Sequence, residues 1–350
     1  MALESEIMDF YYFSNLFLIA SLKMKQRKVL KLTGLPILFM FCFAFHAEAQ
    51  QEPNFSQYMF YGLTFNPGVA GNENAVCATL ANRMQWTGFG KENGQQVAPR
   101  TYFLAGSLPI RILRGGVGLM IMQDALGYEK TIGVRFGYAY QHKLGLGKLG
   151  IGAQIEFNNK SIDGGKLKPV STGDPVLTEI GNASDMLIDF SIGFIYRVPE
   201  SFYFGISGLH LVETKGKPLL EGQGTTLSLT LDRTLFITGG YEFTFPSNPD
   251  FQLLPSAILE TNLSKFRFDI DAIVRYKELF WVGAGYRLQE SVVVLLGVQY
   301  KDIRIGYSYD INVSSLNLPV FGGTHEIMLN YCFKLDIDRG RKSYKNTRFL

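Results

Sequence analysis

Past its first fifty residues the chain has no apolar run approaching the roughly 20 residues that a membrane-spanning helix needs, which excludes a helical membrane bundle. It has no excess of one charge. With 34 basic against 31 acidic side chains, a formal net charge of +3 over 350 residues removes the electrostatic basis for nucleic-acid binding. Charged residues are scarce at 19%, where soluble domains carry about 25%. Cysteines are scarce as well: outside the leader, Cys77 and Cys332 are too few and too far apart for a disulfide scaffold or a zinc ribbon. No internal repeat, low-complexity tract or interdomain linker divides the chain. Glycine is abundant at 37, as are phenylalanine at 28 and tyrosine at 18, which points to strands and leaves open whether they face water or lipid.

From Met24 a basic stretch (Lys25, Arg27, Lys28) precedes an apolar run centred on Leu35 to Phe45 and the small-residue site Ala47-Glu48-Ala49. That is the layout of a secretory signal, with cleavage expected after Ala49 and Gln50 as the mature N-terminus. Gly34 and Pro36 break the run, which is too short for an anchor. Phe41 precedes Cys42, against a lipoprotein site. Met1 to Lys23 lie upstream of an otherwise complete signal, so Met24 is an alternative start. The expected organisation is a leader at 1–49, a lead-in or plug segment at 50–74, strands over 75–335 and a basic tail at 336–350.

A period of two dominates the rest. Phe266, Phe268, Ile270, Ala272 and Val274 alternate with Arg267, Asp269, Asp271 and Arg275. The same alternation runs through Ile132 to Tyr140, Leu149 to Phe157 and Ile303 to Tyr309, and it places successive side chains on opposite faces of a strand. These runs are nearer the ~10 residues that cross a bilayer at a tilt than the 5 or 6 of a soluble sandwich. Aromatics collect at strand ends, as at Tyr138 with Tyr140 and Tyr331 with Phe333, where an interfacial girdle would put them, although a secreted sandwich could also use them as core. About fourteen alternating segments fit between Ala75 and Leu335. With a periplasmic N-terminus the long connections (Thr87 to Pro99, Lys160 to Asp185, Val212 to Leu231, Asn312 to Gly323) all fall outside, and short ones such as Pro199-Glu200 and Lys301-Asp302 fall inside, as in porins. The expected fold is all-β: an antiparallel transmembrane barrel of about 14 strands in the outer membrane, in contact with its lipid. Pro255 inside the ninth strand removes a ladder hydrogen bond and blurs that strand's bounds.

A resemblance enters at the segment before the first strand. Phe55-Ser56-Gln57-Tyr58-Met59, followed by Asn66-Pro67 and Gly71, resembles the opening of the PorP/SprF family of type IX secretion membrane proteins. Arg83, Gln85, Trp86 and Gly88 look like that family's R-x-Q-W-x-G element, and Asp124, Gly127 and Glu129 like its D-x-x-G-x-E turn. Tyr61-Gly62-Leu63 and Gly68-Val69 depart from the usual Asn-Pro-Leu and Ala-Tyr. The resemblance implies a protein that supports export or surface attachment of cargo carrying a type IX C-terminal sorting domain, an adhesin in gliding bacteria. Its implied partners are that cargo and other components of the secretion machinery. The alternative is an outer-membrane channel for small or hydrophobic solutes.

Chemistry is sparse, and neither an enzyme nor a cofactor is expected. Asp269 and Asp271 share a strand face and read as wet lumen lining balanced by Arg267 and Arg275. His142, His210 and His325 stand singly, without metal-ligand spacing. Ser207 lies three residues before His210, and an odd separation on a strand places them on opposite faces. Gly115-Gly116-Val117-Gly118 opens a strand rather than a helix, so it makes no phosphate cradle. Asp163-Gly164-Gly165 and Ser171 to Asp174 lack EF-hand spacing and read as turns.

Closure of an even antiparallel barrel pairs the first strand with the last. Cys77 shares a face with Thr79, Ala81, Arg83 and Gln85. Cys332 shares one with Glu326, Asn330 and Lys334, opposite Leu329 and Tyr331. Both cysteines are therefore expected inside, near the periplasmic rim and adjacent across the seam; whether they are bonded stays open at this point.

Overall fold

A computed structural model of the chain describes residues 52–73, 75–88, 91–92, 95–166, 182–222, 225–313 and 322–333. The expected leader at 1–49, Ser171 to Asp174 and the expected tail at 336–350 lie outside the described residues. Fourteen strands form the wall: β1 Val76–Met84, β2 Arg100–Ile110, β3 Gly115–Leu126, β4 Glu129–Leu144, β5 Gly147–Asp163, β6 Asn182–Val198, β7 Phe202–Leu209, β8 Thr234–Tyr241, β9 Phe251–Thr261, β10 Phe266–Tyr276, β11 Phe280–Arg287, β12 Ser291–Tyr300, β13 Ile303–Asn312 and β14 Thr324–Phe333. Each pairs antiparallel with its sequence neighbours, and β1 pairs with β14 from Val76 opposite Phe333 to Met84 opposite His325, so the sheet closes on itself. Closure leaves no unpaired edge, the condition for strands to cross lipid.

The alternation sorts side chains as the sequence requires. Leu80, Leu104, Ile121, Phe136, Phe190, Ile270 and Leu329 are exposed on the outer face. Their partners in the alternation, such as Arg83, Arg135, Asp269 and Glu326, are buried inside. An outer wall of large apolar side chains with charges within is a membrane barrel turned to lipid, the reverse of a soluble sandwich. Among the described residues no helix is long and apolar enough to cross a membrane.

One extra short strand, Phe243–Thr244, pairs with Leu253 and Gln252 of β9. It continues β8 in the same register: Gly240 faces Ser256, Phe243 faces Leu253, and the gap falls opposite Pro255. The missing proline N–H interrupts that ladder locally, while on the other side Pro255 keeps its place opposite Ala272 of β10. Two of the long connections carry strand pairs: Lys91–Glu92 pairs with Gln95–Gln96 after β1, and Lys215–Gly222 pairs with Thr225–Thr230 after β7.

Candidate functional site

The segment from Glu52 to Glu73 runs through the lumen. It is built from three single turns, Tyr58–Phe60, Gly62–Phe65 and Pro67–Val69. The last is set by its sequence: Pro67 occupies the first turn, where its missing N–H costs nothing, and the Asn66 side chain accepts from the Gly68 N–H at 2.8 Å. Phe55 is 0% exposed. Its ring packs edge-on against Tyr61 at 5.3 Å, Phe65 at 6.3 Å and Phe103 of β2 at 5.0 Å, and Phe65 reaches Phe236 of β8 at 5.3 Å. Aromatic rings from the segment and from opposite walls thus make one core across the barrel.

Polar contacts fix the direction of the segment. Ser56 and Gln57 sit beside the ends of β1 and β14 that carry the long connections, and Tyr58 donates to Ser256 at 3.2 Å midway down β9. Lower still, Asn66 donates to the Phe194 carbonyl of β6 at 2.9 Å, and Glu73 pairs with Arg197 at 3.0 Å near the short turns. The chain therefore enters high, descends and turns back up as β1. Close approach at the bottom demands glycine: Gly71 has φ +72°, and its missing Cβ would lie 2.6 Å from the Gly116 Cα. A Cβ on Gly152 would lie 2.4 Å from the Pro67 backbone.

Two buried charge clusters hold the segment. In the first, Arg83 donates to Ser56 Oγ at 2.8 Å, to Asp310 at 2.8 Å and to Glu326 at 3.0 Å. Ser56 Oγ in turn donates to Asp310, and Glu326 accepts the backbone N–H groups of Ser56 at 2.9 Å and Gln57 at 3.0 Å. The chain of charges continues from Asp310 to Arg287, then Asp269, Arg267 and Glu260. Every ion from Arg83 to Glu260 is sequestered from solvent, and acid alternates with base along the row. Burial pushes the Tyr61 phenol well above its usual range, and the nearby Glu326 carboxylate adds to the rise, so it stays a neutral partner in this core.

In the second cluster Glu52 meets Arg135 at 2.8 Å and His210, while Arg135 and His210 also contact Glu156 at 2.9 and 3.1 Å. Burial alone would raise the Glu52 carboxyl and depress the His210 imidazole. The pairing outweighs burial in both: Arg135 and His210 hold Glu52 below its usual value, and the two glutamates raise His210 to about 9. Ser191 donates to Glu156 at 2.8 Å and completes the set.

The positions whose motifs resemble those of the PorP/SprF family fall on this construction. Phe55, Ser56, Gln57, Tyr58, Met59, Asn66, Pro67 and Gly71 are the segment itself, and Arg83 is its main anchor. Gln85 to Gly88 instead shape the rim: the Gln85 N–H donates to the Pro99 carbonyl at 3.0 Å, Trp86 has φ +50° and Gly88 φ +94°. Asp124 accepts from Thr101, Gly127 (φ +61°) makes the tight turn into β4, and Glu129 pairs with Lys160 at 3.0 Å, so this trio braces the wall. Cys77 lies opposite Cys332 with their sulfurs bonded, on the lumenal side near the short turns.

Two expectations need correction. The lining at Asp269 and Asp271 is dry, because the segment fills the lumen and leaves each aspartate 4% exposed. Asp269 pairs with Arg287 and Arg267, Asp271 lies over Gly285, and Arg275 turns away to Glu242 and Gln252. Ser207 and His210 both point inward, since β7 ends at Leu209 and His210 takes a left-handed backbone (φ +53°) that cancels strand parity. They serve different partners: Ser207 donates to the Phe65 carbonyl, and His210 joins Glu52. Asp163, a conceivable calcium ligand, pairs with Lys166 at 2.6 Å. Strand parity marks Glu156, Arg287 and Asp310 as inward, as it does Glu326 beside Cys332, but Glu52 carries no such signal and nothing local says which charge meets which.

A family model described as "Type IX secretion system membrane protein PorP/SprF" matches residues 47–331. No curated protein matches the sequence. Solved structures with a similar chain path include Omp33 of Acinetobacter baumannii, an outer membrane protein (8% identity, 74% of this chain and 98% of that one, TM-score 0.40). Others are the toluene transporter TodX of Pseudomonas putida (11%, 78% and 93%, 0.44) and a FadL homologue of Pseudomonas aeruginosa (12%, 77% and 92%, 0.44).

Proposed function

The chain belongs to the PorP/SprF family of type IX secretion system membrane proteins, and from that premise we propose that this outer-membrane barrel supports the export or surface attachment of proteins carrying a type IX sorting domain. The observation that carries the reading is where the motif falls. Ser56, Gln57 and Arg83 build a charged lock that holds a segment inside the barrel. Below the segment a cavity of about 270 Å³ is lined by Phe60, Leu254, Trp281 and Arg304, and Tyr61, Leu63 and Phe65 of the same segment form its roof. A barrel filled this way suits assembly and binding better than free diffusion of solutes, and its partners in this reading are the cargo and the secretion machinery.

Deletion of the gene tests the proposal. Sorting-domain proteins are expected to vanish from the cell surface while uptake of small solutes is unchanged. Unaltered surface proteins together with reduced uptake of a small or hydrophobic solute would favour the channel reading instead.

A further inference from the structure

Two adjacent hairpins at the short-turn end carry apices unlike their neighbours. Between β2 and β3 the turn Arg111-Ile112-Leu113-Arg114 leaves Ile112 94% exposed, and the two-residue turn Gly145-Leu146 between β4 and β5 leaves Leu146 89% exposed. Other short turns place Glu200, Glu278 or Asp302 at their tips. Arg111 and Arg114 flank Ile112 in its turn and Lys143 lies three residues before Leu146, all three exposed and without an ion pair among the described residues.

The apices are held in place. The Tyr138 hydroxyl donates to the Leu113 carbonyl at 2.6 Å, the Tyr196 hydroxyl donates to the Leu144 carbonyl at 3.0 Å, and the Gln141 N–H donates to the Arg114 carbonyl at 2.8 Å. Gly145 takes φ +57°, as a tight hairpin needs at its first turn position. A surface fixed before a partner arrives loses little entropy on binding.

The β4–β5 tip stands clear of lipid, and the β2–β3 turn sits beside Gln141 at the inner margin of the interface. Tyr140, Tyr276, Tyr300 and Tyr331 are exposed on the outer wall toward this end of their strands, the place of an interfacial girdle. Leu144 lies four residues beyond Tyr140, which is about 10 Å at roughly 3.3 Å per residue and a tilt near 40°. Leu146 lies farther still. Apolar side chains this exposed, on the tips of two neighbouring hairpins that also carry unpaired cations, have the composition of an uncovered interface.

We propose that the β2–β3 and β4–β5 hairpins form a docking surface for a water-soluble protein of the compartment beneath the membrane, one that offers an apolar groove rimmed by carboxylates. Ile112 and Leu146 are the anchors that enter the groove. Arg111, Arg114 and Lys143 select an acidic rim and speed encounter with it.

A benzophenone side chain placed at position 112 or 146 of the full chain in living cells tests this. One acidic protein is expected as the photo-adduct at both positions, and its yield falls about tenfold in an Arg111→Glu/Lys143→Glu background whose heat-modifiable mobility is unchanged. Phospholipid as the sole adduct, or a protein adduct indifferent to the charge reversal, would overturn the proposal. Adduct formation does not depend on cargo reaching the surface, so a deletion strain with normal surface proteins would defeat the secretion reading and leave this one standing.

Discussion

Cys77 of β1 lies directly opposite Cys332 of β14, and their sulfurs are joined across a sequence separation of 255, so the barrel is closed covalently as well as by hydrogen bonds. In the folded protein the bond ties the first strand to the last at the end where the lumenal segment turns into β1.

Reduction of that bond, or Cys77→Ser, is expected to leave a folded barrel that opens at a lower temperature. Restricting a loop of this length is worth up to about 5 kcal/mol in the chain-entropy account. Gel mobility after heating, with and without reductant, measures it; identical opening temperatures would show that the bond does not staple the seam.

Arg83→Leu removes the cation that Asp310, Glu326 and Ser56 share. Two buried carboxylates are then left short of their partner, a loss of about 3–5 kcal/mol. Limited proteolysis of the intact barrel should now cut between Phe55 and Phe65, where the wild type is protected. Arg83→Lys, which cannot reproduce the forked contact, should fall between them.

The second cluster gives the segment a pH dependence. His210 titrates near 9 in the folded protein against a reference of 6.5, so its stabilisation is complete below 6.5 and is lost as pH rises through 9. Glu52 is held below its reference of 4.5, so its share is present above 4.5 and is lost as pH falls through the lowered value. Amide exchange in residues 52–57 should be slowest between about pH 4.5 and 6.5 after correction for the intrinsic rate. His210→Gln should abolish the alkaline limb, and persistence of that limb would assign it to another group.

Gly152→Val tests the close packing at the bottom. The added side chain would collide with the Pro67 backbone while pointing away from lipid. Assembly of the wall should persist, with protection lost around Pro67–Val69. Unchanged protection would mean that the segment does not lie against β5.

Strand identity was readable because lipid on one side and a packed lumen on the other enforce a strict period of two, as in Phe266 to Arg275. Even the seam followed, since closure and parity together bring Cys77 to Cys332. The interior was harder. Phe55, Tyr58, Tyr61 and Phe65 repeat every three or four residues across two separate turns, a spacing too brief to signal any one element. Parity misassigned His210 because a single left-handed residue ends it. Asp269 and Asp271 looked wet because no local pattern reveals that another part of the chain, Tyr58 among it, fills the space in front of them.

The central claim, that the segment from Glu52 to Glu73 closes this barrel from within, is tested most directly by the conductance of the purified full-length protein in planar bilayers near neutral pH. The account predicts no sustained open state of a size fitting an empty 14-stranded barrel, and predicts that Arg83→Leu creates one. A wild-type protein that conducts steadily at that level would contradict it.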